Sequence, residues 1–170
     1  MFCSMHIWKA SLREGGLSLA YNVIIFVRAG LRQLTRPTEV GVRALVVRGD
    51  EVLLVRHRGG RYPWSLPGGG LGRSETLVTA IVREVREEAG CETRPLELLG
   101  LYRAVSEGMI NYVAVFVCEP LSQARPPAYD LEIVDARFFR QRDLPVNTEP
   151  GSLRRLEEYH QGARGLYGPW

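Results

Sequence analysis

Apolar and polar positions along the chain follow two different periods, which predict strands and helices. Residues 40–47 and 51–57 are rich in β-branched side chains and flank Arg48-Gly49-Asp50, so they predict an antiparallel hairpin. Three later apolar runs predict further strands, at 96–105, 111–120 and 132–139. Together with the helices, this order predicts an α/β or α+β sandwich around a mixed sheet.

An amphipathic helix is predicted between the strands at 51–57 and 96–105. Ser74 is its expected N-cap, and Gly90 stands where a C-cap glycine belongs. The apolar stripe expected to pack on the sheet contains Val78, Ile81, Val82, Val85 and Ala89. A closing helix is predicted at 154–160. The glycine- and proline-rich residues 59–72 predict a loop before the amphipathic helix.

The most apolar stretch of the chain, residues 17–27, is about half as long as a bilayer span requires. We therefore expect no transmembrane segment, but a helix at about 17–34 that packs against the domain, forms a homodimer contact or lies on a membrane surface. The predicted organisation is an N-terminal extension (1–37), one globular domain (38–162) and a C-terminal tail (163–170).

Cysteine usage and charge narrow the class of protein. Cys3, Cys91 and Cys118 are widely spaced and form no metal-binding or disulfide pattern, which favours a reducing compartment, and we expect a cytoplasmic protein. The net charge of +3 is too small to predict a stable nucleic-acid partner. Lys9 is the only lysine, so arginine, which suits bidentate phosphate contacts, carries nearly all the positive charge.

Three glutamates share a second face of the predicted helix. Glu84, Glu87 and Glu88 stand at positions i, i+3 and i+4, where carboxylates repel one another unless a cation lies among them. Oxygen ligands without His or Cys favour Mg²⁺, with Mn²⁺ as a usable substitute. The alternative is a solvent-exposed acidic face that pairs with Arg83 and Arg86.

A glycine run at 68–70 precedes this helix and allows bare backbone to approach a ligand closely. Residues 69–91 read GGLGRSETLVTAIVREVREEAGC, which resembles the Nudix box. The matching positions are Gly69, Glu75, Arg83, Glu84, Val85, Glu87, Glu88 and Gly90. Cys91 departs, because an aliphatic residue is usual there. The Trp-Ser-Leu-Pro-Gly-Gly stretch at 64–69 and the surrounding strands extend the resemblance over roughly 38–160.

The resemblance implies the α/β/α sandwich of the Nudix family. It also implies Mg²⁺-dependent hydrolysis of a diphosphate linkage in a nucleoside diphosphate joined to another moiety. The implied metal ligands are Glu84, Glu87, Glu88 and a main-chain carbonyl of Gly69 or Gly70. Arg83 would orient these carboxylates, and Glu75 would be a supporting group near the start of the helix.

The general base is left open by the resemblance. The family uses either a box glutamate or one in the loop before the late strand, where Glu132 stands and Asp130 competes with it. The candidates for binding the substrate phosphates are Arg43, Arg56, Arg58 and Arg61. The candidates for stacking on a base are Tyr62, Trp64, Tyr102 and Tyr112.

The resemblance does not select one substrate. Residues 105–108 carry neither the proline typical of ADP-ribose hydrolases nor the tyrosine typical of dinucleoside polyphosphate hydrolases, and no coenzyme A signature precedes the box. A nucleoside triphosphate, normal or oxidised, and a nucleoside diphosphate joined to a small group remain. The alternative function is a catalytically silent nucleotide-binding module, against which the three intact carboxylates argue. An isomerase of the same fold has no supporting motif.

Overall fold

The computed structural model describes residues 38–106, 109–128 and 130–170, so the predicted N-terminal helix at 17–34 lies outside the described residues. In these residues the strands are β1 (Glu39–Arg48), β2 (Glu51–His57), β3 (Trp64–Ser65), β4 (Thr93–Ser106), β5 (Met109–Pro120), β6 (Ile133–Arg140) and β7 (Leu166–Pro169). The helices of the same part of the chain are α1 (Leu77–Ala89), α2 (Pro150–His160) and a 3-10 turn (Gln141–Asp143). None of these described helices is long and apolar enough to cross a membrane.

The strands form a mixed sheet in the order β3-β2-β1-β5-β4-β7, and β6 pairs with β2. β1 is antiparallel to β2 at the predicted hairpin, where Val47 pairs with Val52. β1 is also parallel to β5, with Glu39 opposite Asn111. The predicted hairpin and mixed sheet are therefore confirmed, and the parallel pair brings the start of β1 beside the start of β5.

Both faces of the sheet are covered by a helix. On one face, Ile81 and Val85 of α1 pack with Leu53 of β2 in one buried cluster. On the other face, Leu156 of α2 packs in a second cluster that contains Leu45 of β1. Each fully buried aliphatic side chain contributes about 1.5–3 kcal/mol relative to its exposed state. The predicted α/β/α sandwich is confirmed.

The start of α1 differs from the sequence prediction, because Thr76 and not Ser74 is the N-cap. Thr76 Oγ1 accepts a hydrogen bond from the Thr79 N–H at 3.1 Å, and Thr79 Oγ1 accepts one from the Thr76 N–H at 2.9 Å. This reciprocal pair satisfies two main-chain donors that the helix itself leaves open. The predicted end at Gly90 is confirmed by its left-handed φ of 56° and its N–H bond to the Arg86 carbonyl.

The buried stripe of α1 is rotated from the predicted one. The prediction that Val78 packs on the sheet is wrong, because Val78 lies in the first turn and is 49% exposed, whereas Ala80 is fully buried. The residues of α1 that face the sheet are Ala80, Ile81, Glu84, Val85 and Ala89. Because of this rotation, Glu84 lies in the buried stripe and not on a fully solvent-exposed face of the helix.

A bulge in β6 changes which of its side chains face α1. The pairing with β2 skips Val134, between Ile133 and Asp135. Ile133 therefore shares a face with Ala136 and packs in the α1 cluster. Strict alternation would instead place these two residues on opposite faces of the strand.

Three further elements differ from the prediction. α2 begins at Pro150 and not at residue 154, because a proline fits the first turn of a helix. β3 lies within the predicted loop at 59–72. β7 lies within the predicted tail, where it pairs in parallel with β4 and places Leu166 opposite Gly100.

The glycine loop before α1 is held against β1 by main-chain hydrogen bonds. The Val42 N–H donates to the Gly69 carbonyl at 2.9 Å, and the Ala44 N–H donates to the Pro67 carbonyl at 2.8 Å. Gly68 has a φ of 143°, and a Cβ at this position would lie 2.1 Å from the Val42 carbonyl oxygen. The close approach of the two backbones therefore requires glycine at this position.

Replacing Gly68 by alanine should lower the free energy of unfolding by about 3 kcal/mol or more, because the added methyl group collides with main-chain atoms of β1. Gly70→Ala is the matched control, since a Cβ there would meet nothing within 4 Å. Urea unfolding of both variants measures the difference. Equal stability of the two variants would show that the loop is not held against β1.

Candidate active site

Arg83 forms hydrogen bonds with carboxylates of α1 and of the loop that precedes this helix. Its Nε and Nη2 donate to the two carboxylate oxygens of Glu75 at 2.6 and 2.8 Å. Its Nη1 donates to Glu84 at 2.8 Å and to Glu87 at 3.0 Å, and Nη2 also donates to the Gly70 carbonyl at 3.1 Å. The bidentate bond holds the pKa of Glu75 at about 2. One guanidinium thus ties three carboxylates to the glycine loop.

Glu84 lies directly under the glycine loop. It is 9% exposed, and a Cβ at Gly69 would lie 2.7 Å from its Oε1 atom. Burial raises the pKa of Glu84, and the hydrogen bond from Arg83 opposes that effect. The Glu84 carboxylate therefore lies beside the backbone of Gly69 and is largely shielded from bulk water.

Glu88 faces the same loop one turn further along α1. Its Oε2 accepts a hydrogen bond from the Gly68 N–H at 2.8 Å. Burial raises the pKa of Glu88 to about 7, while the charge of Arg43 acts in the opposite direction. Glu87, in contrast, has a side chain that is 57% exposed. Only Glu87 thus matches the alternative of a solvent-exposed acidic face.

The donor chemistry of this cluster fits a hard divalent cation. Within 38–106, 109–128 and 130–170, no three acidic, histidine or cysteine side chains converge as a ready-made cation site, and Arg83 lies between Glu84 and Glu87. Yet Glu84 and Glu88 are withdrawn from water, a state that a bound cation would relieve. The Gly69 and Gly70 carbonyls each accept one hydrogen bond, and a carbonyl oxygen has a second lone pair for a ligand.

The loop before β6 brings Glu132 beside a histidine. Glu132 Oε1 lies 3.6 Å from His57 Nδ1, and His57 Nε2 lies 3.1 Å from Ser65 Oγ. Asp130, the competing candidate, instead accepts the main-chain N–H groups of Glu132 at 2.6 Å and Ile133 at 2.8 Å. Asp130 therefore shapes the loop, and Glu132 is the carboxylate that meets His57.

His57 is a residue that the sequence reasoning missed. It continues the alternation of Leu53 and Val55, both of which lie in the cluster beside α1, so the strand pattern contained the signal. The charge of His57 acts to lower the pKa of Glu88. Glu132 and the box glutamates therefore lie on the same face of the sheet.

A cleft of about 520 Å³ begins at Arg43, whose guanidinium donates a hydrogen bond to the Gly68 carbonyl of the glycine loop. Its lining includes Arg43 of β1, Asn111 and Val113 of β5, and Glu149 and Trp170. A smaller cavity of about 160 Å³ shares the first three of these residues. It reaches the main chain at 69–70, so the two cavities lead from the box to Trp170.

Arg43 is the predicted substrate residue that lines this cleft. Its Nη1 donates to the carbonyls of Leu66, at 3.2 Å, and Gly68. Arg58 has a different position, since it donates to the main-chain carbonyls of Asp130 at 3.0 Å and Leu131 at 3.1 Å. Arg58 thus holds the loop that carries the candidate base.

The predicted stacking residues do not line the cleft. Trp64 is 8% exposed and packs edge-on against Phe139, with the ring centroids 4.8 Å apart. The Arg56 guanidinium lies over the Trp64 ring, 5.9 Å from its centroid. Tyr102 is buried and donates its hydroxyl to Glu158 at 2.8 Å. Tyr62, which Arg61 overlies, and Tyr112 are exposed. The aromatic residue in the cleft wall is Trp170, which the sequence analysis assigned to the tail.

The chain matches a known domain family. Residues 37–159 match the family model of the NUDIX domain. The chain therefore belongs to the NUDIX family, whose members generally use divalent metal ions.

Several curated relatives are similar to this chain. It is 41% identical over 81 residues to a MutT-like protein of Streptomyces ambofaciens, across 48% of this chain and 51% of the relative. It is 34% identical over 124 residues to the 8-oxo-dGDP phosphatase NUDT18 of Homo sapiens, across 68% of this chain and 37% of the relative. It is 27% identical to an ADP-ribose pyrophosphatase of Methanocaldococcus jannaschii, across 62% and 64%. The chain thus spans between 37% and 64% of these relatives.

Solved structures share the architecture. A NUDIX hydrolase from Nitrosomonas europaea superposes with a TM-score of 0.66 and 26% identity, over 78% of each chain. A UDP-X diphosphatase superposes with a TM-score of 0.64 and 27% identity, over 78% of this chain and 67% of that one. Both likenesses extend over 78% of this chain, in agreement with the sandwich described above.

The burial of Glu88 predicts a pH-dependent stability of the metal-free protein. Its pKa rises from 4.5 to about 7, so ionisation of Glu88 costs stability as the pH increases through that window and the full cost is present above pH 7. In EDTA, Glu88→Gln should therefore gain stability relative to the wild type between pH 5 and pH 8, by about 2–3 kcal/mol. Thermal unfolding of both proteins across this range measures the difference. A difference that stays constant with pH would contradict the burial of an ionised Glu88.

Proposed function

We propose that this chain is a Mg²⁺-dependent hydrolase that cleaves a diphosphate linkage in a nucleotide-like substrate. The observation that carries the proposal is that Glu84 and Glu88 lie against the glycine loop and that Arg83 joins Glu87 to the same loop, which lines the smaller cavity. Carboxylates that are shielded from water and lie beside the backbone of the glycine loop suit a hard cation and the phosphates that it would bind. A nucleoside triphosphate and a nucleoside diphosphate joined to a small group are the proposed substrates.

The activities named for similar proteins support this class of reaction. The relatives include an 8-oxo-dGDP phosphatase and an ADP-ribose pyrophosphatase, and one structural neighbour is a UDP-X diphosphatase. All three names describe the cleavage of a nucleoside diphosphate derivative by those proteins. Because those substrates differ in the nucleoside and in whether the diphosphate carries a further group, they support the reaction class for this chain and leave its individual substrate open.

The α1 carboxylates would hold the cation, together with a carbonyl of Gly69 or Gly70. A bound divalent cation supplies neutralisation of the diphosphate charge and a more acidic water. Arg83 keeps Glu84 and Glu87 together despite their repulsion, through hydrogen bonds of 2.8 and 3.0 Å. Arg43, between the box and the cleft, offers positive charge to the substrate phosphates.

Glu132 is the proposed general base. As the water oxygen forms its bond to phosphorus and the bridging P–O bond breaks, the water proton passes to the Glu132 carboxylate, and the second phosphate departs with the leaving group. His57 lies 3.6 Å from that carboxylate and is itself in contact with Ser65, so it orients the base. Arg58 supports the same loop through two main-chain carbonyls.

We also propose that the protein works in a reducing compartment such as the cytoplasm. Cys91 and Cys118 are both free and buried. Burial raises the pKa of the Cys118 thiol to about 12, so it stays protonated and behaves as a small apolar side chain. This usage supports a structural role for both thiols.

Replacing Glu87 by Gln should lower kcat by two or more decades, or roughly 3 kcal/mol, while the fold stays intact, because the exposed side chain keeps an oxygen that can accept from Arg83 and loses the charge that would bind a cation. Glu92→Gln, just beyond α1 and also exposed, is the control and should keep wild-type turnover. Phosphate release is measured with nucleoside triphosphates, ADP-ribose, NADH, sugar nucleotides and diadenosine polyphosphates. EDTA should abolish activity and Mg²⁺ restore it. Inactivity of the wild type on every substrate would favour the nucleotide-binding module.

Glu132→Gln distinguishes the two origins of the base. If Glu132 accepts the proton, kcat should fall by about 10² to 10⁴ with KM and the Mg²⁺ requirement nearly unchanged. If Glu132 is instead a cation ligand, the Mg²⁺ concentration for half activity should rise. Steady-state kinetics across a Mg²⁺ titration separates the two results. A variant within about threefold of the wild type on both measures leaves the base among Glu84, Glu87 and Glu88.

A further inference from the structure

Within residues 38–106, 109–128 and 130–170, α1 covers only part of its face of the sheet. Beyond α1, this face carries apolar side chains of β1, β4, β5 and β7 that are between 38% and 89% exposed. The surface is called the open sheet patch, and it consists of Val40, Leu98, Leu101, Ile110, Tyr112 and Tyr167. Exposed apolar side chains that are grouped on one surface in this way mark an interaction site.

The strand pairing places the β4 and β7 members of the patch on the α1 side of the sheet. Ala114 and Phe116 of β5 are buried in the cluster that contains the α1 side chains. Leu101 pairs with Ala114, and Leu98 pairs with Phe116. Paired residues of neighbouring strands point to the same face, so both leucines lie on the α1 side. Tyr167 lies opposite Leu101 and extends the patch onto β7.

The β1 and β5 members lie on the same side, because side chains alternate along a strand. Ile110 and Tyr112 precede Ala114 on β5 by four and two residues. Val40 of β1 pairs with Tyr112. Arg103 also lies opposite Tyr112, and the aliphatic stem of an arginine can lie along an apolar partner. The patch therefore runs from the start of β1 across β5 and β4 to β7.

A matching apolar stripe occurs in the sequence shortly before β1, in residues 17–34, which lie outside the described residues. At 3.6 residues per turn, one arc of about 100° contains Ala20, Val23, Ile24, Val27, Leu31 and Leu34. The other side contains Ser18, Asn22, Arg28, Arg32 and Gln33. The sequence therefore predicts an amphipathic helix, and such a helix depends on burial of its apolar side for most of its stability.

The connection between this segment and β1 fits the position of the patch. Residues 35–38 join Leu34 to Glu39, a span of at most about 17 Å when fully extended. The segment must therefore end close to Val40, which is a member of the patch. A helix of residues 17–34 is about 27 Å long. The patch extends about 20 Å along β5, from Ile110 to the level of Leu98.

We propose that residues 17–34 form a helix whose apolar stripe covers the open sheet patch of the same chain. The short connection to β1 raises the effective concentration of the segment at the patch to roughly the millimolar range. A second molecule or a membrane surface lacks this advantage, so the patch of the same chain is the favoured partner. The inference is independent of the proposed hydrolysis, because it concerns a packing surface and not the carboxylate cluster.

Photo-crosslinking of the full chain identifies the occupant of the patch directly. p-Benzoylphenylalanine replaces Leu101, and the same replacement of Leu153 is the control. Leu153 is exposed to a similar degree, 39% against 41%, but it belongs to α2 on the opposite face of the sheet. Equal amounts of ¹⁵N-labelled and unlabelled protein are mixed before irradiation. Peptide mapping then identifies each linked segment and shows whether both halves of a link come from one molecule.

The probe at position 101 should link to residues 17–34 of the same molecule, and the probe at position 153 should not. Links between labelled and unlabelled molecules would overturn the proposal and make the patch an interface between copies. A second probe at Tyr112 protects the test against an unfavourable geometry at position 101. Failure of both patch probes to reach residues 17–34 would also overturn the proposal.

Amide hydrogen exchange tests whether the patch holds the helix in place. In the wild type, the amides of residues 17–34 should exchange at least about tenfold more slowly than in the isolated peptide. Leu101→Lys should remove this protection, whereas Leu153→Lys should preserve it. Within the segment, Ile24→Lys should remove the protection, whereas Asn22→Lys, on the polar side, should preserve it. Unchanged exchange in α1 shows that each variant is folded.

Three results of these measurements would contradict the docking. Absence of protection in the wild type would show that residues 17–34 have no partner in the chain. Protection that survives both Leu101→Lys and Tyr112→Lys would place the helix on another surface. Co-sedimentation of the wild type with phosphatidylglycerol and phosphatidylcholine vesicles, without a link from position 101 to residues 17–34, would assign the apolar stripe to a membrane surface.

Discussion

The contact between the glycine loop and β1 is the constraint on which the rest of the candidate site depends. Gly68 sits so close to β1 that a Cβ would meet the Val42 carbonyl oxygen at 2.1 Å. This approach fixes the Gly68 N–H that binds Glu88 and the Gly69 backbone that covers Glu84. The positions of the α1 carboxylates and of the cleft entrance thus both depend on the backbone of the glycine loop. A shift of the loop would move both at once.

The electrostatics of α1 work against its stability and in favour of its proposed chemistry. Glu84 lies in the stripe that packs on the sheet, although a helix of this kind normally buries only apolar residues there. Its charge is offset by Arg83, which also binds Glu75 and Glu87. Glu88 receives one main-chain hydrogen bond and keeps a raised pKa. Such incomplete compensation is typical of sites in which a ligand provides the missing charge.

The sequence predicts the main features of the fold and of the box for physical reasons. Strand runs, the helix end at Gly90 and the position of the three glutamates on one helix follow from local periodicity and capping. The failures also have local causes. Thr76 outcompetes Ser74 because Thr79 completes a reciprocal cap, which residue type alone does not distinguish. The bulge at Val134 inverts a strand face, and alternation cannot show where a residue is skipped.

The cleft could not be predicted because its parts come together through long-range pairing. Arg43 and Asn111 are close in space since β1 and β5 run parallel and start side by side, with Glu39 opposite Asn111. A sequence pattern gives the strands but not their neighbours. Trp170 joins them through β7, whose four residues have no distinctive period and were assigned to a tail. Periodicity therefore locates the carboxylates on one helix, whereas the residues that line the cleft depend on strand order, which only tertiary structure reveals.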